Sequence, residues 1–165
     1  MAVIGAGMAG ILAAIELRRR GVECVVFEKA DRVGGTWREN TYPGLSCDVP
    51  AHSYTYTFAR NPDWSRWYAD GAEIQRYFER VADEHGVLAL VRFGDEVTGL
   101  EFVDGGWNLR TASGHADRFE AVIAATGCCT TRTWPASTAS TPSPVHPSTR
   151  HAGITTCHST VAASA

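Results

Sequence analysis

At 165 residues with 44% hydrophobic content, the chain has the size and apolar fraction of one folded domain. Its net charge of -3 gives no electrostatic case for a nucleic acid or an anionic membrane as partner, and no apolar run approaches the roughly 20 residues of a membrane span. Five cysteines, Cys24, Cys47, Cys128, Cys129 and Cys157, follow no metal-binding or redox spacing, so reduced thiols and no metal site are expected.

The chain opens without a basic leader or cleavage-type site, which makes the cytoplasm the expected location. AVIGAG supplies a short apolar strand and a glycine turn. Ile11, Leu12, Ile15 and Leu17 then give a helical apolar face, followed by Arg18, Arg19 and Arg20 at the negative end of the helix dipole and by Gly21 as a stop. VECVVFEK reads as a second buried strand ending on Glu28, completing a βαβ unit with parallel strands. From Ala30 to Asn61, Gly, Pro, Tyr and Ser dominate without a sustained period, which predicts a long ordered loop of functional type.

Ile74, Tyr77, Phe78 and Val81 recur at helical spacing between Asp70, a plausible cap, and Gly86, a stop. VLALVRF, VTGLEFVDG, WNLRTASG and RFEAVIAAT predict four strands, with turns at Asp104-Gly105-Gly106 and Ser113-Gly114. His52 and His85 read as surface or loop histidines, and Trp64, Trp67 and Tyr68 as aromatics that pack the loop onto the domain.

GAGMAG, from Gly5 to Gly10, matches G-x-G-x-x-G directly after a strand and at the start of a helix, with an acidic residue ending the next strand. Gly5 permits the tight turn, Gly7 lets a pyrophosphate approach the backbone, and Gly10 lets helix and strand pack closely. The free N–H groups of the helix start face the phosphates, and Glu28, 18 residues after Gly10, is placed for a ribose diol. A dinucleotide site is the reading that this context favours over glycines that only ease packing.

RVGGTW, from Arg32 to Trp37, adds a second glycine pair and an aromatic. With YPGLSCDVPAHSYTYTF, from Tyr42 to Phe58, and AVIAATG, from Ala121 to Gly127, it resembles the flavin-containing and Baeyer-Villiger-type monooxygenases that use FAD and NADPH. The resemblance implies an α/β, Rossmann-like three-layer FAD-binding domain over residues 1–127, with a small antiparallel meander from about Glu96 to Thr111. It implies Gly5, Gly7 and Gly10 at the FAD pyrophosphate and Glu28 at its ribose. Gly35, Thr36, Trp37, Asp48 and Tyr54 would line the flavin, Val97 would offer a backbone contact to adenine, and Thr126 and Gly127 would close the site. Asp48 would be the catalytic group, acting on the flavin and nicotinamide environment; a turn carboxylate before Pro50 is its plainer reading.

By the same resemblance, NADPH and oxygen drive oxygenation of a small organic substrate through a peroxyflavin, and the NADPH-binding part lies outside this chain. A non-catalytic flavin-binding or nucleotide-binding fragment, or another FAD-dependent oxidoreductase, are the alternatives.

The 38 residues from Cys128 to Ala165 carry no acidic residue and 15 Ser or Thr, which predicts a disordered tail. Arg outnumbers Lys by 14 to 1, the usage of a GC-rich gene. Back-translated and read one base earlier, the tail accommodates I-x-G, F-x-G, H-S-x-x-W and L-x-G-x-R-V in register, as in the same monooxygenases. The expectation is a one-base deletion near Gly127, with an out-of-frame tail beyond it. DNA read in the alternative frame from codon 127 should continue into a second G-x-G-x-x-G; a stop codon or unrelated sequence there contradicts it.

Overall fold

A computed structural model describes residues 1–127. The chain divides into two units, Met1–Thr130 and Thr131–Ala165; the expected disordered, out-of-frame tail lies outside the described residues, as do Cys128, Cys129 and Cys157.

Strand β1 (Ala2–Ile4), helix α1 (Met8–Arg19) and strand β2 (Val25–Glu28) form the expected βαβ unit. β1 and β2 run parallel, with Ala2 opposite Val25 and Ile4 opposite Phe27. After a short helix α2 (Thr36–Glu39) and a one-turn 3-10 segment at Ala51–Ser53, the chain forms helix α3 (Gly71–Glu84). Strand β3 (Val91–Phe93) pairs parallel with β2, and β7 (Val122–Ala124) pairs parallel with β1, giving the sheet order β3-β2-β1-β7. Between them, β4 (Val97–Val103), β5 (Gly106–Thr111) and β6 (Ala116–Phe119) make a separate antiparallel sheet.

Because successive strand residues face opposite ways, the parallel sheet feeds two cores. Val3 and Val26 bury with Ile11, Ala14 and Ile15 of α1 and with Ile74, Phe78 and Val81 of α3. Ala2 and Phe27 bury on the other face with Leu109 of the meander. Phe119 meets Phe27 edge to face at 5.9 Å between ring centroids. Helices, parallel sheet and meander are therefore the three layers, and burial of a side chain such as Phe27 contributes about 2–3 kcal/mol.

Five expectations need correction. Leu12 does not join the α1 core but is 38% exposed; the buried stripe is Gly10, Ile11, Ala14 and Ile15, at the i, i+1, i+4, i+5 spacing of a narrow contact with the sheet. Asp70 precedes α3 as expected but makes no side-chain cap, since its carboxylate takes Arg66 at 2.8 Å while its carbonyl accepts Glu73 and Ile74. RFEAVIAAT is two strands rather than one: after β6 the chain leaves the meander, and at Ala121, whose carbonyl accepts the Ala2 amide at 3.0 Å, it enters the parallel sheet. The meander thus extends to Phe119, past the expected Thr111, and Leu88–Leu90 is a 3-10 turn rather than strand.

The loop between α2 and α3 is ordered by an aromatic cluster. Tyr56 is buried, its hydroxyl donating to the Met8 carbonyl at 2.6 Å and its amide donating to the Tyr77 hydroxyl at 2.8 Å. Trp64 packs on Tyr77 at 5.5 Å, as expected, whereas Trp67 and Tyr68 are 62% and 49% exposed and do not bind the loop down. Cys24 and Cys47 are buried free thiols. Among the described residues, no helix is long and apolar enough to cross a membrane, and no group of three or more His, Cys, Asp or Glu gathers as metal ligands.

Candidate functional site

The turn after β1 is held from three sides. Gly5 sits at φ +97, in the left-handed region, and its amide donates to the Phe27 carbonyl at 2.8 Å. A Cβ there would stand 2.6 Å from the Ala125 carbonyl oxygen. A Cβ on Gly10 would run into the Gly5 carbonyl oxygen itself, so the two glycines are one packing unit. Gly7 is the N-cap of α1 and offers no side chain, and its carbonyl accepts the Ile11 amide at 3.0 Å. The amides of Met8, Ala9 and Gly10, in the first turn, have no carbonyl within the helix to bond; Met8 and Ala9 are exposed, so this positive helix end opens to solvent.

Glu28, at the end of β2, is only 7% exposed. One carboxylate oxygen accepts the Ala6 amide at 2.6 Å and the other accepts the Ala30 amide at 2.9 Å. The residue thus ties the glycine turn to the segment after β2. A carboxylate offers about four lone-pair positions, so two acceptor positions remain for a ligand diol.

The second glycine pair lies against the first turn. The Gly34 amide donates to the Ala6 carbonyl at 3.0 Å, and a Cβ on Gly35, at φ +56, would stand 3.0 Å from the Gly7 Cα. Gly34 is backed by the buried Gln75, whose Nε2 donates to the Val33 carbonyl at 2.7 Å and whose Oε1 fills the space where a Gly34 Cβ would lie. Thr36 and Trp37 begin α2, and the Trp37 Nε1 donates to the Tyr54 hydroxyl at 3.2 Å with the rings edge to face. The Thr126 Cα lies 3.6 Å from the Cβ position of Gly5, which brings the segment after β7, with exposed Thr126 and Gly127, beside the first turn.

Gly5, Gly7, Gly10, Glu28, Gly35 and Thr126 therefore converge where β1, β2 and β7 end, while Thr36, Trp37 and Tyr54 form a neighbouring group. Asp48 stands apart: it is exposed, and among the described residues it has neither a hydrogen-bond nor an ion-pair partner. The backbone beside it is fixed, since the Cys47 amide donates to the Ala69 carbonyl at 3.0 Å. Val97 opens β4 and packs partly buried against the Phe27 and Leu109 core.

Ala6, Gly34 and Tyr56 are the contributors that the motif reading passed over. Ala6 and Gly34 act through backbone atoms, which leave no residue-type signal; Tyr56 stands within YPGLSCDVPAHSYTYTF, two residues after Tyr54, and could have been singled out there. Two open clefts, of about 560 and 540 Å³, lie elsewhere: one at the opposite end of the sheet around Met1, Cys24 and Phe119, the other between Arg32, Glu79 and Phe93. Neither is lined by the glycine turn, whose chemistry is that of a backbone cradle rather than a closed cavity.

Residues 3–70 match the family of NAD(P)-binding Rossmann-like domains. The chain is 49% identical over 128 residues to an uncharacterized monooxygenase of Mycobacterium tuberculosis, covering 77% of this chain and 26% of the relative. It is 43% identical over 130 residues to a Baeyer-Villiger monooxygenase of Streptomyces coelicolor, covering 77% of this chain and 25% of that protein. Among solved structures, an open crystal structure of cyclohexanone monooxygenase superposes with a TM-score of 0.77 at 35% identity, covering 81% of this chain and 28% of the other. An oxidized steroid monooxygenase bound to NADP gives 0.76 at 36%, covering 82% and 27%. The chain thus spans about a quarter of the length of the relatives that it matches.

Proposed function

We propose that this chain, which over about three quarters of its length belongs with the Baeyer-Villiger-type monooxygenases, supplies the FAD-holding part of an FAD- and NADPH-dependent monooxygenase acting with oxygen on a small organic substrate. The observation that carries the reading is the double glycine contact: Gly5 against Gly10 and Gly7 against Gly35 leave no room for side chains where a dinucleotide backbone has to lie. Relatives named as FAD-binding monooxygenases, such as one from Dothistroma septosporum at 47% identity over 98 residues, support FAD over NADP for this first turn. By the resemblance, the second nucleotide and the substrate pocket would belong to the three quarters of the relatives that this chain does not span.

The residues present fit FAD. The first-turn amides of α1 would take the pyrophosphate, Glu28 would take the ribose diol with its spare lone pairs, and the Glu96–Val97 backbone would face the adenine. Gly35, Thr36, Trp37, Asp48 and Tyr54 would border the flavin, with Thr126 and Gly127 closing the far side. Bound FAD would supply the redox chemistry; these residues orient it and exclude water. Asp48, exposed and without a partner among the described residues, would meet a charged group brought by the nicotinamide-binding part, which is how it would influence the flavin environment.

The reading is tested by the visible spectrum of the purified chain supplied with FAD. A bound, structured flavin band supports it. A chain that retains its fold and leaves FAD free in solution overturns it.

A further inference from the structure

The turn joining β5 to β6 carries a polar cluster that binding of the dinucleotide, as described, does not use. Asp95, between β3 and β4, is only 5% exposed. Its Oδ1 accepts the Ser113 hydroxyl at 2.6 Å, and its Oδ2 lies 3.3 Å from the His115 Nδ1. The Ser113 Oγ also stands 2.8 Å from the same His115 nitrogen and 2.9 Å from the Thr111 hydroxyl. Serine, histidine and aspartate together suggest a nucleophilic triad, but here both contacts of the imidazole use Nδ1. The ring therefore cannot take a proton from serine on one nitrogen while aspartate holds the other, as a triad requires. The cluster is a clamp, and the hydroxyl of Ser113 foremost, with His115 and Thr111, holds the Asp95 carboxyl below the usual aspartate range.

Backbone bonds show what is clamped. The Asp95 amide donates to the Glu28 carbonyl at 3.0 Å and the Gly94 amide to the Ala30 carbonyl at 2.9 Å. On the other side, the Ala112 amide donates to the Glu96 carbonyl at 2.8 Å. Asp95 therefore stands between the end of β2, where Glu28 waits for a ribose, and the β5–β6 turn, and it directly precedes Glu96 and Val97.

We propose that Asp95, held by Ser113 and His115, is a positioning residue for the adenosine end of the bound dinucleotide, fixing Glu28 and the Glu96–Val97 backbone relative to each other. The inference rests on the flavin reading above. Losing the Ser113 hydroxyl leaves a nearly buried carboxylate oxygen short of a donor, and the strand ends that it holds in register drift apart.

The test titrates the full chain with FAD and, separately, with ADP, and records the ligand-free melting temperature. Asp95→Asn and Ser113→Ala are each expected to weaken both ligands by about tenfold. Ser113→Thr, which keeps the hydroxyl, restores most of that loss. The Ser113 pair changes a single hydroxyl, with its contacts to Asp95, Thr111 and His115, at an exposed turn, so it reports even where Asp95→Asn fails to fold. Unchanged FAD and ADP affinities in Ser113→Ala overturn the inference, as does a loss for FAD with none for ADP, which would move the effect to the flavin end. A wild-type chain that binds neither ligand overturns the flavin reading itself, a result separate from the indifference of the variants.

Discussion

Gly10→Ala is expected to abolish FAD binding and to lower stability by about 2 kcal/mol or more. The added methyl group points into the Gly5 carbonyl oxygen, which is backbone and cannot rotate aside. Gly5 is fixed by its amide bond to the Phe27 carbonyl and by its positive φ, and the Ala125 carbonyl oxygen occupies the space that a side chain on it would need. Alanine favours helix over glycine by about 1 kcal/mol, so the overpacking has to exceed that gain before the fold suffers. Relief requires α1 to lift from β1, which moves the first-turn amides away from any phosphate. A melting curve should show a fall of about 5–10 °C, and flavin titration should show no binding. Wild-type values for both would mean that the helix start does not pack as described.

Glu28→Gln should weaken FAD by more than about tenfold while costing about 1–3 kcal/mol of stability. The two side chains have nearly the same shape, so packing does not decide the outcome. Both carboxylate oxygens accept backbone amides, from Ala6 and Ala30, and a carboxamide has one acceptor and one donor. One amide is then faced by an NH₂ group, and at 7% exposure water cannot replace the lost partner. The glycine turn would loosen at Ala6, and a ribose bound there would lose an acceptor. The melting temperature isolates the first effect and the FAD titration adds the second. An unchanged FAD affinity with a lowered melting temperature would make Glu28 a structural tie only.

The βαβ unit was legible because three local signals agree within 28 residues: an apolar strand, glycines at helix-opening spacing and an acidic strand end. Glu28 stood out in the sequence as a candidate ribose ligand, whereas its role as a tie for the turn left no signal, because its partners are the backbone amides of Ala6 and Ala30, which any residue carries. The contact between Gly7 and Gly35 was hidden for the same reason. RFEAVIAAT reads as one strand because its composition is continuous; the break at Ala121 is made by the parallel sheet capturing the chain, a tertiary event. Leu12 fails as a core residue because periodicity marks a face without saying how much of it a neighbour covers. Asp70 occupies a cap position, yet Arg66, four residues before it, competes for its carboxylate. The family, by contrast, was legible from GGTW, YPG and CDVP together, and relatives at 43% and 49% identity bear it out.

The most direct test is a competition between FAD and NADPH for the wild-type chain, followed by calorimetry and by the visible flavin spectrum. The glycine turn with Glu28 should bind FAD with a structured flavin band and at least about tenfold more tightly than NADPH. Preferential binding of NADPH, with FAD left free in solution, would contradict the account.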